Sequence, residues 1–105
     1  MNDSEFNQIV DETLLKIEDA VENSGADIDY DTVAGILTLE FANGTKIIIN
    51  RQGANQELWV AAKSGGYHLR YADDVWHCQT TQEDLQFLLG RVCSEQAGES
   101  VEMEI

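Results

Sequence analysis

Residues with apolar or methyl-bearing side chains recur at Phe6, Ile9, Val10, Thr13, Leu14, Ile17, Ala20 and Val21. This i, i+3, i+4, i+7 spacing predicts a helix with one continuous apolar face. Asp3 or Ser4 stands where it can cap the first turn. Ser24-Gly25 is a natural stop, because glycine takes the left-handed conformation without a Cβ penalty. On the opposite face Asp11, Glu18 and Glu22 fall together, with Glu5, Glu12 and Asp19 beside them and Leu15 as the one apolar intruder.

After Gly25 the period drops to two. Asp27-Ile28-Asp29-Tyr30-Asp31 alternates acid and apolar residue, so a strand here gathers its aspartates on one face. Ile36–Phe41 and Lys46–Asn50 flank Asn43-Gly44, the strongest short hairpin signal. A polar loop at 51–56 precedes a strand at Glu57–Ala62, and Ser64-Gly65-Gly66 turns the chain into the alternating run Tyr67–Tyr71. Asp73-Asp74 makes another turn before Val75–Cys78. Short strands joined by turn-length links predict an antiparallel meander of five to six strands.

A second helix follows, with Thr80 and Glu83 spaced as a capping box and Leu85, Leu88, Leu89, Val92 and Cys93 on one stripe. Residues 97–105 form an acidic tail expected to be loosely held. Two amphipathic helices flanking a meander predict an α+β fold: a two-layer α-β sandwich in one domain, residues 1–105, with both helices on one face of the sheet. The other face is left for solvent or partners.

Charge changes this picture. The 105 residues carry 20 acids against 6 bases, a net charge of −14. Such a chain repels phosphate backbones and anionic headgroups, so nucleic acid and membrane are excluded as partners in favour of cations and basic protein patches. No apolar run reaches the length of a membrane span, and the acidic start, Met1-Asn2-Asp3-Ser4-Glu5, has no signal- or transit-peptide character, so a cytoplasmic location is expected. Cys78 and Cys93 form no C-x-x-C motif and read as buried small hydrophobes.

Residues 1–31 hold ten acids and one base, a net −9 and most of the deficit of the whole chain. A face that serves solubility alone mixes both signs, and like charges four apart on a helix, such as Glu18 and Glu22, cost a few tenths of a kcal/mol. A feature that lowers stability points to use. Carboxylates suit hard or borderline cations, and with no His or Cys among them any site is shallow and weak. Asp27, Asp29 and Asp31 mimic the start of an EF-hand loop, but Thr32 and Thr38 stand where that loop needs Gly and Glu. His68 and His77 have no nucleophile or ligand partner at a working spacing, so the chain is not expected to be an enzyme. A second candidate surface lies on the sheet: if Leu58 and Val60 face the helices, Trp59 faces outward among Asn50, Arg51, Gln52 and His68.

The opening Asn2-Asp3-Ser4-Glu5-Phe6, the stretch from Asn43 to Gln52, and Trp59, Ala61 and Gly65-Gly66-Tyr67-His68 resemble the bacterial branch of the frataxin family. The resemblance spans nearly the whole chain. It implies iron, ferrous or ferric and replaceable by other divalent cations, held weakly on Asp11, Glu18, Asp19, Glu22, Asp27, Asp29 and Asp31. It also implies partners: a cysteine desulfurase with a basic patch, and an iron–sulfur scaffold protein. The partner-facing residues would be Glu12, Glu18, Asp19, Glu22, Asn50, Arg51, Gln52, Trp59 and His68. The implied function is an iron-responsive regulator of iron–sulfur cluster assembly, monomeric or oligomerising with iron. The alternative is an iron chaperone or weak ferroxidase, although the Glu-x-x-His arrangement of di-iron enzymes is missing. The chain departs from the family pattern at Asn7, where similar sequences can carry His, at Asn23, and in a shortened loop at 24–26.

Overall fold

The computed structural model describes all 105 residues. Helix α1 (Asp3–Asn23) is followed by β1 (Ile28–Val33), β2 (Ile36–Phe41), β3 (Lys46–Gln52), β4 (Glu57–Ala62), β5 (Gly65–Ala72), β6 (Val75–Cys78), β7 (Glu83–Asp84) and α2 (Leu85–Ala97). Each strand pairs antiparallel with its neighbours in sequence order, giving one meander. The predicted sandwich stands, with seven strands rather than five to six. The extra strand is β7, a two-residue pairing of Glu83 and Asp84 with Cys78 and His77. Gln82, at φ 61°, reverses the chain to make that pairing possible.

Alternation sorts the strands cleanly. Leu37, Leu39 and Phe41 of β2, Ile47 and Ile49 of β3, Leu58 and Val60 of β4, and Leu69 of β5 point to the helices and are buried. Phe6, Val10, Leu14, Ile17 and Val21 of α1 meet them, as do Leu85, Leu88, Leu89, Val92 and Cys93 of α2. Each fully buried aliphatic or aromatic side chain stabilises by about 1.5–3 kcal/mol. Both cysteines are buried and unpaired, and burial pushes the Cys93 thiol up to about 12.

Two buried polar side chains lock the layers together. The Trp76 indole of β6 donates to Thr13 Oγ1 at 2.9 Å, tying α1 to the sheet. Gln96 of α2 accepts from the Lys63 backbone at 2.9 Å and donates to Thr45 Oγ1 at 3.0 Å, so one amide joins the turns of two hairpins.

Three expectations about chain ends are corrected. The cap of α1 is Asn2, not Asp3 or Ser4: its side chain accepts from the Glu5 backbone at 2.8 Å and Glu5 reaches back. The cap of α2 is Asp84, whose Oδ1 accepts from Phe87 N at 2.8 Å. Glu83 is unavailable for the predicted box because it grips Arg91 with both oxygens, at 2.8 and 2.9 Å. The tail is not loose: Val101 and Met103 are 5% and 3% exposed within the core, and Ser94 Oγ holds the Val101 backbone at 2.9 Å. Val101, Met103 and Ile105 alternate with Glu102 and Glu104, so the tail packs as an extended strip across α2.

Candidate functional site

The acidic residues of α1 and β1 wrap around the edge of the sheet. β1 is the first strand in the order, so one of its edges has no strand neighbour. Ile28, Tyr30 and Thr32 share its helix-facing side, while Asp29 and Asp31 point to the open face opposite Glu40 and Thr38. Asp27 precedes the strand, so only two of the three predicted aspartates share its face. On the helix side the Tyr30 hydroxyl donates to Glu22, and the Thr32 hydroxyl donates to Glu18. The bond to Glu22 pushes the Tyr30 phenol up to about 12, keeping it a donor at any physiological pH.

Asp11 is differently placed. Arg51, on the helix-facing side of β3, reaches the Asp11 carboxylate at 2.5 Å and the Asn7 side-chain oxygen at 2.9 Å. Its guanidinium lies over Gly35, where an added Cβ would come within 3.3 Å of it. Arg51 was expected among the partner-facing residues of the sheet. It instead clamps the first turns of α1 to the β1–β2 turn and neutralises one ridge carboxylate. Glu12, also expected to face a partner, lies around the helix from the edge, in a hollow with Ile9, Lys16 and Trp76. Asp19 is exposed, as is Leu15, at 62%.

No group of three or more His, Cys, Asp or Glu side chains converges on one point. Asp11, Glu18 and Glu22 each have a protein partner, and Asp29 and Asp31 lie on the other side of the edge strand. The donors suit a hard cation held by field and by one or two oxygens, not a closed chelate.

On the open face, Trp59 is 39% exposed and sits opposite Asn50 on one side and His68 on the other. The Trp59 and His68 rings stack with centroids 4.4 Å apart and planes 7° from parallel. Gln52 pairs across with Glu57, and Glu57 with Arg70. Glu57 was not among the predicted site residues, yet it accepts from Trp59 Nε1 at 3.1 Å and from Arg70 Nε at 3.3 Å. The indole N–H holds the Glu57 carboxyl below the usual glutamate range; burial opposes this and Arg70 reinforces it. The i, i+2 spacing of Glu57 and Trp59 on one strand was the available signal.

The frataxin-like domain family matches residues 1–99. The chain belongs to the frataxin family. Its relatives include the iron-sulfur cluster assembly protein CyaY of Photobacterium profundum, 49% identical over 102 residues that make up 97% of each chain. The protein of the same name from Vibrio vulnificus (strain YJ016) is 46% identical, covering 97% of this chain and 98% of that one. Among solved structures, the frataxin of Psychromonas ingrahamii, described within the CyaY protein family, superposes over the full length of both chains with a TM-score of 0.91 at 40% identity. The two helices on one antiparallel sheet are therefore the frataxin fold, and the resemblance read from the residues is borne out. Names of these relatives point to a part in iron–sulfur cluster assembly. No helix is long and apolar enough to cross a membrane.

Proposed function

We propose that this frataxin-family protein is an iron-responsive regulator of cluster assembly acting in the cytosol. It docks its acidic edge on a basic patch of the cysteine desulfurase and turns its open sheet face to the scaffold protein. The observation that carries this reading is the placement of charge. A net −9 within 31 residues lies along α1 and β1, at one edge of the sheet, while Trp59 stands three strands away on β4. Two partners can thus be engaged at once. Iron bound weakly to Glu18, Asp19, Glu22 and the aspartates of β1 would lower the charge of the edge and so change its attraction for the desulfurase. No step of chemistry is required of the protein. The single carboxylate contacts available along the edge support exchangeable iron and a regulatory role over catalysed oxidation.

Calorimetry with the desulfurase tests this, at low and high salt, using wild type and the triple variant Glu18→Lys, Asp19→Lys, Glu22→Lys. Binding that weakens with salt and disappears in the variant is expected, because exposed charges are screened within about 8–10 Å at physiological ionic strength. Equal binding by both proteins, or binding indifferent to salt, would sink the ridge as the docking surface. Ferrous iron should shift the amide resonances of Glu18–Asn23 and Asp27–Asp31; an unchanged spectrum removes iron from the account.

A further inference from the structure

One carboxylate holds two neighbouring side chains on the open face and lies beside a third. Glu57 stands two residues before Trp59 on β4, so both project from the same side of the sheet. The register places Arg70 opposite Glu57 and His68 opposite Trp59. Glu57 Oε1 accepts the indole N–H at 3.1 Å, Oε2 accepts Arg70 Nε at 3.3 Å, and His68 Nδ1 lies 3.9 Å from Oε1. Although it belongs to the open face, the Glu57 side chain is only 13% exposed. A shallow hollow lined by Ile48, Asn50, Ala61 and Gly66 runs beside the stacked rings. The hollow is open above Gly66, where nothing lies within 4 Å of the position a Cβ would take.

An exposed tryptophan that swings freely must surrender its rotamers when a partner docks. Here the indole is bonded at its nitrogen and stacked on one face, so that freedom is already gone. We propose that Glu57 is a positioning residue for docking: it presents the Trp59–His68 stack as a preorganised anchor against which an apolar side chain of the scaffold protein seats in the hollow. This rests on the reading of the open face as the scaffold-facing surface. The competing role for Glu57 is a plain surface ion pair with Arg70, which contributes little. The two roles separate on replacement. Glu57→Gln keeps an oxygen acceptor for the indole but loses the charge, whereas Glu57→Ala loses both.

The test combines indole N–H resonances with binding to the desulfurase–scaffold complex for wild type, Glu57→Gln, Glu57→Ala and Trp59→Ala. Trp76, bonded to Thr13, is an internal reference that reports whether the core is intact. Glu57→Ala should move the Trp59 resonance, speed its hydrogen exchange and weaken binding roughly two- to tenfold, the cost of immobilising one large side chain. Glu57→Gln should restore both the resonance and the affinity. An unchanged Trp59 resonance in Glu57→Ala, or equal losses in the Gln and Ala variants, overturns the positioning role. If Trp59→Ala weakens binding and Glu57→Ala does not, the inference fails while the docking reading stands. If Trp59→Ala itself binds like wild type, the docking reading of this face fails and the inference with it.

Discussion

Along α1 and β1, carboxylates crowd an exposed edge with two hydroxyls and one guanidinium among them as partners. On β4 and β5 a single carboxylate orders an indole, and an imidazole stacks on that indole within a few ångströms. The first surface works through a field: it attracts at a distance, tolerates imprecise side-chain placement and fades with salt. The second works through shape, which acts only at contact and needs each ring held in place. A protein with both can be steered to one partner and seated on another, and the two functions should break independently.

The largest expected effect is the loss of desulfurase binding in the Glu18, Asp19 and Glu22 charge reversal, about a hundredfold or more at low salt. The same variant relieves like-charge repulsion but loses the hydroxyl bonds from Tyr30 and Thr32, so its melting temperature should stay within a few degrees of wild type with the core intact; calorimetric melting checks this. Trp59→Ala comes next, at about tenfold to thirtyfold weaker binding to the desulfurase–scaffold complex, a typical hot-spot loss. This loss should be the same at 50 mM and 500 mM salt, concentrations chosen about a decade apart to span the screening regime. A salt-dependent loss would mean that the sheet face also acts through charge.

Arg51→Ala is smaller and falls on stability. A partly exposed ion pair is worth about 1 kcal/mol, so the urea midpoint should drop modestly while Trp59-dependent binding persists. Loss of that binding would show that the two surfaces are coupled through β3. The remaining effects are set by pH. The folded-state pKa of Tyr30, about 12, lies above its value in the unfolded chain. Its bond to Glu22 therefore contributes stability fully present below the ordinary phenol pKa, and that stability is lost as pH rises through the folded value. Ultraviolet titration should show one late-ionising tyrosine that disappears in Tyr30→Phe. Glu57 runs the other way. Its pKa is depressed, so its contribution is present above the ordinary glutamate range and is lost as pH falls through the lower folded value. The Trp59 indole resonance should hold steady down to that point and move only below it.

Legibility differed between these regions for a physical reason. The acidic edge could be read from residue counts and helical spacing, because charge density and period are local properties of the chain. The exposed face of Trp59 followed from alternation with Leu58 and Val60. Arg51 and Glu57 were different. Each acts on a residue brought near by the fold: Arg51 on Asp11, 40 positions away, and Glu57 on Arg70, 13 positions away. Alternation with Ile47 and Ile49 puts Arg51 on the helix side of β3, but only the fold shows that Asp11 waits for it there.

By itself, the sequence determined the two helices, the meander, the buried faces and the concentration of charge at one end of the chain. These follow from periodicity and composition, which the core and the solvent enforce wherever the strands lie. Only the tertiary structure decided that β7 closes the sheet, that Val101 and Met103 cover α2, and that Asp11 is paired while Glu18 and Glu22 accept hydroxyls from β1. It also decided that Glu57 holds Trp59. Each of these depends on which side chains meet across strands and layers, and register and packing settle that only once the whole chain has folded.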